Sequence, residues 1–138
     1  MAYKLVGKQG DFILRESDFP QLLRLGIFYG WEPEGTDAPD HIPVEEWNSR
    51  EYLNCEGQYV HDTDALKLCK ALKTSLNDIP ERDFKYESQK IPAVKIQGVR
   101  DKKKEKSLFN LIKYFSGNDK KKIKEFIEYI QSGGFRIF

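Results

Sequence analysis

The amino-acid sequence predicts an α+β fold: about four helices packed on a small antiparallel sheet, in a single domain spanning residues 1–138. Three observations lead there. Apolar residues recur at helical spacing over two well-bounded stretches, near 62–77 and 119–131. Two short alternating runs at the N-terminus are separated by glycines, as in a hairpin. The length of 138 residues suits one domain, and 13% aromatics supply a core without disulfide staples.

The elements follow in order. Tyr3–Val6 and Phe12–Arg15 flank Gly7-Lys8-Gln9-Gly10 and read as an antiparallel pair. Ser17 or Asp18 is placed to cap a helix, with Pro20 in the first turn, where no helical hydrogen bond is lost. From Leu22 through Leu23, Leu25, Ile27, Phe28 and Tyr29 this helix is apolar nearly all round, so burial on several sides is expected. Gly26 inside it implies a close neighbour, and Gly30 ends it. The stretch 32–40 reads as loop, and Trp31, Trp47, Tyr52 and Tyr59 are the aromatics available to pack it down. Gln58-Tyr59-Val60 forms one short strand. Asp62 then reads as the cap of a second helix, with Asp64 in the first turn and Ala65, Leu68, Cys69, Leu72 and Leu76 in one stripe. Asn77 and Pro80 close it.

Beyond residue 80, Phe84 and Tyr86, and Val94 and Ile96, would share faces if extended, and Pro92 argues for an edge. The charge run 101–106 leads into a helix with Leu108, Leu111, Ile112 and Phe115 inward. Asp119 starts the last helix, on which Ile123, Phe126, Ile127 and Ile130 align. Gly133-Gly134 stops it, and Phe135-Arg136-Ile137-Phe138 is too apolar for a free tail, so it returns to the sheet or core beside the N-terminal hairpin.

Charge is balanced in total, at +1, but divided in space. Residues 1–80 carry 8 Lys/Arg against 14 Asp/Glu, whereas 81–138 carry 15 against 8. This division suits attraction between the halves, self-association, or contact of the basic segment 90–124 with an anion or nucleic acid. Lysine dominates that segment over arginine and the pI is 7.7, so any nucleic-acid contact would be non-specific. Lys120, Lys121 and Lys122 stand in the first turn of the last helix, against the macrodipole, and form a candidate anion site.

Catalytic and metal signatures are weak. Cys55, Cys69, His41 and His61 lack zinc spacing, and no phosphate-binding glycine loop is present, so neither a metal nor another cofactor is expected. The polar run 54–64 could host a hydrolase-like site if His61, with Asp62 or Asp64 as its orienting carboxylate, and a nucleophile such as Cys55 or Ser49 converged. No catalytic residue is assigned. No apolar run approaches a membrane span, Met1–Arg15 lacks a secretory h-region, and two cysteines suit a reduced, cytoplasmic setting.

Three stretches together carry a resemblance: Tyr29-Gly30-Trp31-Glu32-Pro33-Glu34-Gly35-Thr36, then Asn54 with Gly57-Gln58 and Val60 to Asp64-Ala65, and Gly133-Gly134-Phe135-Arg136-Ile137. They are similar to a group of small uncharacterised bacterial proteins. The resemblance covers about Phe28–Ala71 and the C-terminal helix with its tail, and implies a bacterial single-domain protein without transferring any catalytic residue. The matched polar positions Trp31, Thr36, Asn54, Gln58, Asp64 and Arg136 are candidates for a shared binding surface, or equally for loop anchors, a cap and the partner of an acidic residue. The leading functional expectation is a non-enzymatic module, immunity-like or regulatory, whose partner is another protein. An anion or nucleic-acid binder and a hydrolase-like enzyme are the alternatives.

Overall fold

The computed structural model describes residues 2–81 and 102–138. The expectations for Phe84, Tyr86, Pro92, Val94 and Ile96, and the start of the basic segment at Lys90, fall outside them. Among the described residues, four helices pack against a five-stranded antiparallel sheet. The chain runs β1 (Ala2–Gly7), β2 (Gly10–Arg15), α1 (Asp18–Phe28), β3 (Thr36–Asp37), β4 (Gln58–Val60), α2 (Asp62–Ser75), α3 (Lys102–Tyr114), α4 (Lys120–Ile130) and β5 (Phe135–Ile137), with short 3-10 turns at Val44–Glu46 and Gly117–Asp119. Strand order is β2-β1-β5-β4-β3.

The hairpin forms with a connection of two residues, Lys8 and Gln9, between the closing pair Gly7 and Gly10. The C-terminal segment lies in the middle of the sheet, pairing with β1 through Leu5↔Ile137 and with β4 through Gln58↔Ile137. One face of the sheet carries Leu5, Phe135, Ile137, Gln58 and Val60 inward; the other carries Lys4, Ile13 and Asp37 to solvent. The β3 pair lies inside the expected loop 32–40. Two residues cannot display a strand period, and Thr36↔Val60 pairing fixes them.

The core is continuous. The Phe126 ring stands edge-on to Phe19 and Phe135, and Tyr129 stacks on Phe12 at 4.9 Å. The helix α2 presents its expected stripe: Ala65, Leu68, Cys69 and Leu72 are buried, and Lys67, Lys70 and Lys73 are exposed. It crosses α1 where Gly26 lies, and a Cβ there would collide with the Leu68 side chain, which is why the helix carries glycine at that point. The end of α1 is a Schellman arrangement: Gly30 N–H donates to Ile27 at 3.2 Å and Trp31 N–H to Gly26 at 2.9 Å. This turns the chain sharply and delivers Trp31 beneath α1.

Two local expectations are corrected. The first is the cap of α1: Ser17 stands at the cap position without a side-chain cap hydrogen bond, and Asp18 is already the first helical residue. The second concerns Asp62, which is not the cap of α2. It is the first helical residue after His61, and its carboxylate accepts the Gly134 N–H at 2.6 Å, tying α2 to the turn before β5. The helix α1 is buried on several sides through Phe19, Leu22, Leu23 and Leu25, while Arg24 and Ile27 face outward.

Candidate functional site

A groove of about 330 Å³ opens between α1 and the segment 50–53. Pro20, Leu23 and Ile27 form its helical wall, Trp31 and Tyr52 line it from below, and Leu53 forms the far rim. Ile27 is 54% exposed and Leu53 45%, which for large aliphatic side chains on both rims of one concavity leaves an apolar opening in the surface. Its charged lining is Arg24, Arg50 and Glu51. Among the described residues neither arginine has an ion-pair partner, while Glu51 accepts a long contact from the Asn48 amide at 3.5 Å.

The floor is held by a buried carboxylate. Asp64 is fully buried in the first turn of α2, and three donors converge on it: Trp31 Nε1–H at 2.9 Å, the Glu34 N–H at 3.2 Å and the Tyr52 hydroxyl at 2.6 Å. The Tyr52 oxygen in turn accepts the Gly35 N–H at 2.8 Å. Burial, followed by the hydrogen bond to Asp64, pushes the Tyr52 phenol well above its ordinary value of 10.0, so it stays protonated and donating. Trp31 and Tyr52 meet edge to face at 5.5 Å. A buried charge is tolerable when its lone pairs are satisfied in this way, and the result is a groove floor with fixed rotamers.

The other positions singled out in the sequence serve neighbouring loops. Thr36 is buried, donates towards the Ser49 and Glu51 carbonyls, and accepts the Trp47 indole N–H at 3.1 Å. Gln58 is fully buried and staples the bend above it: its amide donates to the Glu51 and Asn54 carbonyls and accepts the Glu56 N–H. Asn54 itself is exposed and enters through its main chain. Arg136 donates to the Gly57 carbonyl at 2.9 Å, lies over the Tyr59 ring and approaches Asp40 at 4.0 Å. Of the six, then, Trp31 lines the groove, Asp64 holds it, and Thr36 and Gln58 brace the loop carrying its far wall.

The hydrolase-like grouping is not assembled. His61 pairs with Asp37 at 3.0 Å on the surface, while Asp64 is committed to Trp31 and Tyr52. Cys55 is exposed, and burial of its sulfur together with Glu56 beside it raises its thiol above 9.0, away from the reactive thiolate. Among the described residues no three His, Cys, Asp or Glu side chains are grouped to hold a metal ion.

The lysines at the start of α4 have acidic company that the sequence could not place. Lys122 reaches Asp18 at 3.4 Å and Asp119 at 3.2 Å, and Lys120 approaches Glu81 at 3.9 Å. Lys121 is exposed. Asp18, buried between β2 and α4, also takes Arg15 at 2.9 Å and the Tyr114 hydroxyl at 2.6 Å. The unfavourable placement of cations against the helix dipole is thus offset by carboxylates across the fold.

Sequence reasoning missed Arg24, Arg50, Ile27 and Leu53. The one available signal was Arg24, a charge interrupting an otherwise apolar helix. No helix among the described residues is long and apolar enough to cross a membrane. No protein-family model, curated protein or solved structure matches this chain.

Proposed function

We propose that this chain is a non-enzymatic binding module, a bacterial cytoplasmic protein of immunity-like or regulatory type, whose groove between α1 and the 50–53 segment takes a peptide segment of a partner protein. The segment presents an apolar side chain with a carboxylate close by. The observation that supports this reading is the pairing of an open apolar floor with two arginines that have no ion-pair partner among the described residues. Apolar anchors inserted into a preformed pocket supply most binding energy in such interfaces, and Arg, Trp and Tyr are the residues that most often carry it. The arginines add selection for an acidic neighbour and speed the encounter. A rigid floor lowers the ordering cost of binding, which is the role the Asp64 network fills.

The test is selection from a random peptide library, followed by titration of one enriched peptide into the protein with Trp fluorescence as the readout. Enriched sequences should combine Leu, Ile, Phe or Trp with Asp or Glu. Arg50→Glu should weaken binding by roughly tenfold, and Ile27→Asp should abolish it. A library that yields no consensus, or peptides whose affinity ignores both substitutions, would remove the proposal.

A further inference from the structure

The strand β2 is the outer strand of the sheet, six residues long from Gly10 to Arg15, and Ile13 on it is 69% exposed. Among the described residues, its unused hydrogen-bonding groups can be identified. Lys4 N–H donates to the Phe138 carbonyl at 2.9 Å and the Lys4 carbonyl accepts the Phe138 N–H at 2.8 Å, so the peptide groups of Lys4 point towards the C-terminal segment. Alternation along β1 then turns those of Tyr3 and Leu5 towards β2, where they face Leu14 and Phe12. On β2 the N–H and C=O groups of Asp11, Ile13 and Arg15 therefore point off the sheet. Such a row is a template for another strand unless something covers or frustrates it.

The order Asp11-Phe12-Ile13-Leu14-Arg15 places opposite charges two residues either side of Ile13. Proteins that protect an edge commonly line it with like charges, above all lysine. Here the pattern complements itself when the strand is reversed. We propose that β2 pairs antiparallel with β2 of a second copy of this chain, centred on Ile13, to give one continuous sheet across a two-fold axis.

In that register Ile13 faces Ile13, and each Asp11 faces Arg15 of the second copy. Each facing pair exchanges two main-chain hydrogen bonds through groups that have no partner among the described residues. The side chains of Asp11, Ile13 and Arg15 all lie on the solvent face, so the isoleucines cover each other between two ion pairs. Among the described residues Asp11 is held by one exposed contact, to Lys4 at 3.4 Å, which leaves its carboxylate room for a second cation. Arg15 already meets Asp18, but its side chain is 66% exposed and its guanidinium has donors to spare. On the helical side β2 borders a hollow of about 360 Å³ shared with Lys122 and Glu125 of α4. At the opposite edge, β3 has two residues, too few to pair in this way. A closed two-fold arrangement uses the edge completely and stops at two copies.

Sedimentation velocity over about 10 μM to 1 mM tests this, since so small an interface gives a concentration-dependent dimer. Asp11→Arg and Arg15→Asp should each be monomeric over the range where the parent chain dimerises. An equimolar mixture of the two should dimerise again, because the reversed charges then face each other. Ile13→Pro removes an N–H that points off the sheet and pairs with none of the described residues, and should abolish the dimer with the circular dichroism spectrum retained. If either charge variant fails to fold, Ile13→Lys replaces it as the disrupting change. A parent chain that stays monomeric to 1 mM, or a dimer that survives these substitutions, overturns the proposal.

Discussion

Replacing Asp64 tests the central claim about the groove, because one carboxylate holds its floor from three sides. Asp64→Ala strands the Trp31 indole N–H, the Tyr52 hydroxyl and the Glu34 N–H, the first two in a buried setting. A hydrogen bond to a charged group is worth about 1.5–3 kcal/mol, and a stranded buried donor costs about 1–3 kcal/mol. Part of that loss is offset, since a buried charge no longer has to be desolvated. The expected net destabilisation is about 3–5 kcal/mol, or roughly 10–20 °C in Tm for a chain of this size. Asp64→Asn keeps the shape and the oxygen facing Trp31 and Glu34, but turns an amide N–H₂ towards a Tyr52 oxygen already engaged by Gly35. It should cost about 1–2 kcal/mol. Urea unfolding, followed by Trp fluorescence and by far-ultraviolet circular dichroism, measures both. Combining Asp64→Asn with Tyr52→Phe should give less than the sum of the separate losses, as the two residues form one network. An Asp64→Ala loss below about 1 kcal/mol would refute the reasoning, because no donor could then have been stranded.

Other expectations follow from the same contacts. A Cβ at Gly134 would collide with the Val60 carbonyl in the sheet, so Gly134→Ala should cost about 2–3 kcal/mol in a thermal or urea melt; an unchanged melt would mean that the strands do not approach there as described. Burial alone would raise the Asp18 carboxyl, but Arg15, Tyr114 and Lys122 outweigh it and hold it below its ordinary 3.8. The unfolded chain therefore binds the proton first, so Asp18 contributes stability above about pH 4 that is lost as the pH falls through its lower folded value. The slope of stability against pH between about 4 and 2 should be shallower in Asp18→Asn, measured by urea melts, and an identical slope would contradict the ion-pair cluster. Both thiols are raised above 9.0 by burial, Cys69 within the core. A disulfide reagent at pH 8 should titrate Cys55 alone, slowly, and reach Cys69 only after denaturant is added.

Local patterns carried most of the architecture. The stripes of α2 and α4 are read correctly because 3–4 spacing directly reports a buried helical face, and the closing tail could be placed in the sheet or core from its apolar character alone. What the sequence left ambiguous were side chains with two local uses. Asp62 and Asp64 both suit the first turn of a helix, yet one binds the turn at Gly134 and the other holds Trp31 and Tyr52. Their partners lie 72, 33 and 12 residues away, beyond any local rule. The groove was invisible for the same reason, since its two walls are separated by the whole loop from Trp31 to Arg50. Likewise the lysines at the start of α4 conflict with the helix dipole only until Asp18, from the far end of the chain, is brought alongside.

The position of β5 governs when the sheet can be completed. The β1–β2 hairpin and the β3–β4 pair never touch as strands; three residues, Phe135–Ile137, join them. Those residues emerge from the ribosome 128 positions after Gly7, which at roughly 5–20 residues per second is about 6–25 s later. Until then the inner edges of β1 and β4 lack the strand that satisfies their main-chain groups in the finished sheet. Closure therefore waits on synthesis of everything between Gly7 and Phe135, and the interval before it is the time when mispairing has most opportunity.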